Sequence, residues 1–162
     1  MNTKANLLFL YSHNDTTHLN RLFEKLDSLG IKIYTSEPTS EGEAKSKTSI
    51  RVVALFVSEK SIESRFFVDE VIETVTNAKD RSKIIIPIVE YDFVLDKNPL
   101  LKNILMQYNC IFLEDGLHSS LDYDKVVTTL SKVLFNQTDK EMLYEIVMIL
   151  INLVRLTDTP LA

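Results

Sequence analysis

The stretch Ser61-Ile62-Glu63-Ser64-Arg65-Phe66-Phe67-Val68-Asp69-Glu70-Val71 holds the most informative spacing of chemistry-bearing residues. Glu70 follows Phe66 by four residues, so on a helix a carboxylate and an aromatic ring stand on one face a turn apart. Such a pair can hold the ribose hydroxyls of a nucleotide or steady an oxocarbenium-like transition state. The competing reading is a solvated helix carboxylate, which most helical glutamates are. Ser61 or Ser64 is placed to cap the helix, and Phe67, Val71, Val75 and Ala78 form its apolar stripe.

Other candidates are weaker. The chain has no Gly-x-Gly-x-x-Gly and no phosphate-cradling Gly-rich loop ending in Lys-Ser/Thr. Gly-x-Ser-x-Gly is missing as well, against an α/β-hydrolase. His13, His18 and His118 are scattered without metal-ligand spacing and read as surface residues, so no metal is expected. Cys110 falls in a predicted strand and reads as a buried, inert thiol. Asp15-Thr16 opens a helix, which makes Asp15 an N-cap. Near the strand ends Asp15 and Glu59 are the acidic residues expected, and neither stands where a nucleophilic Asp would.

The elements that must position these residues alternate strand and helix. Leu7–Tyr11, Ile31–Tyr34, Val52–Val57, Ile84–Val89 and Cys110–Leu113 are short apolar runs, near-solid as in strands covered on both faces. Pro87 is expected near a strand end. Between the runs, Leu19, Leu22, Phe23, Leu26 and Leu29 repeat at helical spacing before Gly30, residues 99–108 form a short helix, and Val126, Val127, Leu130, Val133 and Leu134 mark another. Residues 35–49 are polar. The pattern predicts an α/β fold: a flavodoxin-like, doubly wound, five-stranded parallel sheet of order 2-1-3-4-5 flanked by helices. Ligands of such sheets sit beyond the carboxyl ends of the strands. There lie Ser12-His13-Asn14-Asp15, the 35–49 segment and Ser58-Glu59-Lys60-Ser61.

From Lys140 to Leu156 apolar residues cover most of a helix circumference, leaving a narrow stripe of Glu141, Glu145, Asn152 and Arg155. The chain therefore divides into a domain over residues 1–137 and an extra apolar C-terminal helix over 138–162. That helix packs on its own domain or at an oligomer interface.

Composition limits the function classes. With 162 residues, 45% hydrophobic and 25% charged, this is the make-up of one globular domain. Eighteen Lys+Arg against 23 Asp+Glu give a net charge of -5, a poor footprint for nucleic acid. A single cysteine excludes an internal disulfide, and no apolar run has the length of a signal h-region or a membrane span. The expectation is a cytoplasmic protein with neither a nucleic-acid nor a membrane partner.

At these residues the sequence resembles a Toll/interleukin receptor (TIR) domain. Leu8-Phe9-Leu10-Tyr11-Ser12-His13-Asn14-Asp15 resembles the family's first box, a strand running into Ser-Tyr-Ser-x-x-Asp-like residues. Val53–Ser58 followed by Ser61, Ser64, Phe66 and Glu70 resembles its third strand and the S-x-x-S-x-W-x-x-x-E motif, with Phe66 in place of Trp. Ile85-Ile86-Pro87-Ile88-Val89 is similar to its fourth strand. The match runs over residues 6–135. The link between Tyr34 and Val52 departs from the family, at 17 residues without an apolar helical pattern where the family places a self-association loop and a helix.

The resemblance implies one of two functions. One is an NAD+ glycohydrolase or cyclase in immune or stress signalling, with NAD+ as substrate, no cofactor and Glu70 as the catalytic carboxylate. Tyr11, Ser12 and Ser36 would then line the nicotinamide-ribose pocket and Phe66 would wall it. The other is a non-catalytic adaptor acting through contacts with TIR-type domains, its own copies included. A flavodoxin-like domain for a nucleotide or a phosphorylated partner ranks third.

Overall fold

Val52–Val57, the strand β3, is buried at all six positions, as a strand must be when it has neighbours on both edges and helices on both faces. A computed structural model describes residues 5–35, 49–78 and 83–157. Around β3 the chain runs β1 (Ala5–Leu10), α1 (Thr16–Ser28), β2 (Ile31–Tyr34), then α2 (Arg65–Ala78), β4 (Ile84–Glu90), α3 (Pro99–Leu105), β5 (Ile111–Leu113) and α4 (Ser120–Thr157). The five strands form one sheet of order β2-β1-β3-β4-β5, every pair parallel. This is the flavodoxin-like winding expected from the sequence.

Side chains alternate across the sheet, and this sorts the core into two layers. Leu7 and Phe9 of β1, Ala54 and Phe56 of β3 and Ile86 and Ile88 of β4 face α1 and the first half of α4. Leu8 and Leu10, Val53, Leu55 and Val57, and Ile85 and Val89 face α2 and α3. Phe9, Ala54 and Ile86 sit side by side in the register, so a one-residue slip would exchange the two layers.

Local signals set the ends of the elements. Gly30, at φ +86, supplies the left-handed residue after α1. Ser64 begins α2 by accepting the Phe67 N–H on its hydroxyl at 3.3 Å, and Asn98 begins α3 by accepting that of Leu101 at 3.1 Å, with Pro99 at the first helical position. Pro87 differs from the expectation, since it lies in the middle of β4. The β5 ladder begins only at Ile88, so the strand edge beside Pro87 asks no donor of it on that side. Cys110 also differs: it lies just before β5, which starts at Ile111.

α4 is one unbroken helix of 38 residues, about 57 Å long at 1.5 Å per residue. Tyr123, Val126, Leu130 and Leu134 bury its first half on the sheet. The apolar segment past residue 140 continues the same helix, and Met142 to Leu156 hold most of its exposed large apolar side chains, with Leu121 and Phe135 exposed before them.

Candidate functional site

The ends of β1 and β3 are joined by a buried polar knot. Asp15, 2% exposed, occupies the N-cap position of α1, yet its carboxylate makes no cap bond there. It accepts the hydroxyl of Ser58 instead, at 2.7 Å. Ser58 and Ser61 then bind each other reciprocally, since Ser61 N–H donates to Ser58 Oγ at 3.0 Å and Ser58 N–H donates to Ser61 Oγ at 2.7 Å. All three side chains are buried, and each finds a partner, as buried polar groups require. The knot fixes the turn Ser61–Glu63 that leads into α2, and thereby the start of the helix that carries Phe66 and Glu70. With its hydroxyl held by Asp15 and closed from solvent, Ser58 is a positioning residue and not a nucleophile.

Charge gathers around the knot. Burial pushes the Asp15 carboxyl above its ordinary value, against the opposing pull of the Ser58 hydrogen bond and then of His18 and Lys60. Glu90, the last residue of β4, is also raised, first by burial and next by the negative charge of Asp15. Sequence reading placed only Asp15 and Glu59 near the strand ends and missed Glu90. The signal was one residue long, because Ile84–Val89 reads as a complete apolar run and the acidic residue just after it reads as loop.

The residues expected to share a pocket are distributed over both faces of the sheet. Glu70 is half-buried in the second turn of α2, and Phe66, one turn before it, stands 78% exposed. The neighbouring Phe67 carries the packing at 2% exposed. Tyr11 follows β1, and its ring packs edge-on against Phe9 at 6.1 Å and Phe23 at 5.4 Å, on the α1 face. α2 lies on the other face. The Ser12 hydroxyl accepts the Asn14 N–H at 3.4 Å and holds the turn into α1. Ser36 lies outside the described residues, as does nearly all of the polar 35–49 segment with the short link's expected lack of a helix.

His13, His18 and His118 are exposed, as expected. Cys110 donates its thiol to the carbonyl of Leu105 at 3.3 Å, and burial pushes that thiol up to about 11.

One depression beyond the ends of β4 and β5 has the size of a small-molecule cleft, about 620 Å³. Tyr91, Asp92, Phe93, Phe112, Leu113, Glu114 and Lys125 line it. Its rim is a parallel stack of Tyr91 on Phe93, 5.5 Å between centroids. Tyr91 has φ 67, a left-handed backbone that a bulky residue rarely adopts, and its N–H is pinned to the Leu113 carbonyl at 3.1 Å.

Among the described residues no group of three or more His, Cys, Asp or Glu side chains is placed to hold a metal ion. Among them, too, no helix is long and apolar enough to cross a membrane. No protein-family model matches the sequence, and no curated protein matches it. Among solved structures the chain is similar to the TIR domains of the activated Roq1 resistosome that directly recognises the pathogen effector XopQ. The two are 18% identical over 80% of this chain and 83% of that one, with a TM-score of 0.48.

Proposed function

We propose that this protein is a TIR-type NAD+ glycohydrolase or cyclase of immune or stress signalling, with Glu70 as its catalytic carboxylate. The observation that carries the reading is the pairing on α2, the helix that follows the carboxyl end of β3: Glu70 is half-buried in its second turn and Phe66 stands one turn before it. The motif Ser61, Ser64, Phe66, Glu70 supplies the chemistry by its resemblance to the TIR sequence.

In that chemistry the bond between nicotinamide and ribose C1′ breaks, and nicotinamide leaves neutral with the bonding pair. Positive charge grows on the ribose, where a carboxylate against the ribose hydroxyls lowers its energy. Water, or a nucleophile within the ADP-ribose itself, then forms the new bond to C1′ and a proton is released. Phe66 offers a ring face to the nicotinamide, and Ser12, at the end of β1, is the hydroxyl the motif assigns to the ribose side, with Ser36 assigned there by the resemblance alone. Tyr11, its ring packed on the α1 face, acts through the backbone that positions Ser12. The protein acts in the cytoplasm, with copies of itself or another TIR-type domain as partner.

The second reading, a non-catalytic adaptor, is favoured by Phe66 itself. A ring 78% exposed on a helix is what an interface anchor offers to a partner. Nicotinamide release by concentrated protein, measured beside Glu70→Ala, separates the two readings.

A further inference from the structure

From Met142 onward helix α4 is apolar on nearly every side while standing in solvent. Leu143 is 62% exposed, Ile149 58% and Leu150 55%. Over residues 142–156 the exposed apolar surface comes to about 1,200 Å² for one chain, above the roughly 800 Å² that each partner gives to a standard interface. Five of these fifteen residues are Ile or Val, poor formers of a lone helix in water, so packing must supply what propensity does not.

The pattern says what packs there. On a seven-residue repeat Leu143 and Leu150 take position a, Ile146 and Leu153 position d, Val147 e and Ile149 g. Glu145 and Asn152 then fall together at c and Arg155 at f, on the outward side. Val147, Leu150, Ile151, Val154 and Arg155 line a hollow on the flank of this seam, the first four with the i, i+3, i+4, i+7 spacing that receives a knob from a facing helix and Arg155 at its outer edge. Two-stranded coils carry charged e and g positions and bury a narrow a/d seam. Here e and g are apolar and the apolar arc spans roughly three quarters of the circumference, far more than the ~100° stripe that one neighbour covers.

We infer that residues 142–156 of three or more copies of this chain close into a helical bundle, with a, d, e and g inward and Glu145, Asn152 and Arg155 outward. The bundle tethers the sheet domains at one end of α4. It does not rest on the NAD+ reading: its failure is read in mass, and that of the other in turnover.

The test is the molar mass of the full chain in solution, by light scattering and sedimentation from low micromolar to near-millimolar concentration, beside the double variant Ile146→Glu/Leu150→Glu. Both positions lie outside the two core layers, and the melting of the sheet domain reports that the variant folds. A wild-type mass of three or more copies, with the folded variant a monomer throughout, is the expected result. Dilution of the wild type below its association range should also lower its helical circular dichroism. A wild-type monomer at every concentration overturns the inference, whether it stays free or floats with anionic lipid vesicles. So does an oligomer, dimer or larger, whose mass the double variant leaves unchanged.

Discussion

The hydroxyl of Ser58 donates to the carboxylate of Asp15 at 2.7 Å, across 43 residues of sequence, and ties the end of β3 to the end of β1. Ser58→Ala leaves a buried carboxylate short of its acceptor bond and loosens the reciprocal pair with Ser61. A loss of about 1–3 kcal/mol in folding stability is expected, measured by urea unfolding. Ser58→Thr, which keeps the hydroxyl, should lose less.

Asp15 and Glu90 make the stability of the fold depend on pH in an unusual direction. Both carboxyls are raised by burial, so in the window above the ordinary carboxylate range the folded chain binds more protons than the unfolded one. Their contribution is therefore complete below that range and is lost as pH rises through the folded values. The negative charge of Asp15 adds to the burial that raises Glu90. Glu90→Gln should raise the unfolding midpoint at neutral pH and flatten the decline between acid and neutral pH. Parallel thermal melts across that range read both effects.

Adjacent phenylalanines on α2 separate packing from surface. Phe67, fully inside the α2 layer, should cost about 3–5 kcal/mol when replaced by Ala. Phe66→Ala should change stability by no more than about 0.5 kcal/mol. Its expected effect is on nicotinamide release in the enzymatic reading, or on partner binding in the adaptor reading.

Cys110 should be slow toward alkylation. With its thiol pushed up to about 11, the thiolate fraction at mildly alkaline pH is very small. Iodoacetamide should react about three hundredfold more slowly than with an unperturbed thiol of pKa about 8.5, and unfolding in urea should restore the rate.

The sheet order was legible because solid apolar runs, helical stripes and Gly30 all agree on one winding. The same runs hid Glu90, since a strand ending in a carboxylate looks like a shorter strand followed by loop. Asp15 read as a helix cap because its position is a cap position; only the fold brings Ser58 to it, 43 residues on. Phe66 and Phe67 are alike in sequence, and the turn set by the Ser58–Ser61 pair decides which of them faces the core. Tyr11 lies next to Ser12 in the chain, while alternation at the end of β1 turns its ring to the α1 face. For the last helix, residues 140–156 were legible as apolar all round; that they extend the helix carrying Val126 and Leu134 without a break was not.

The central claim is that Glu70 cleaves NAD+. The direct measurement is nicotinamide release from NAD+ by the purified full chain over a concentration series, with Glu70→Gln beside it at matched thermal stability. The account predicts release by the wild type that rises with protein concentration and falls by about a hundredfold or more in the variant. Equal release by Glu70→Gln, or none by the wild type at any concentration, would contradict it.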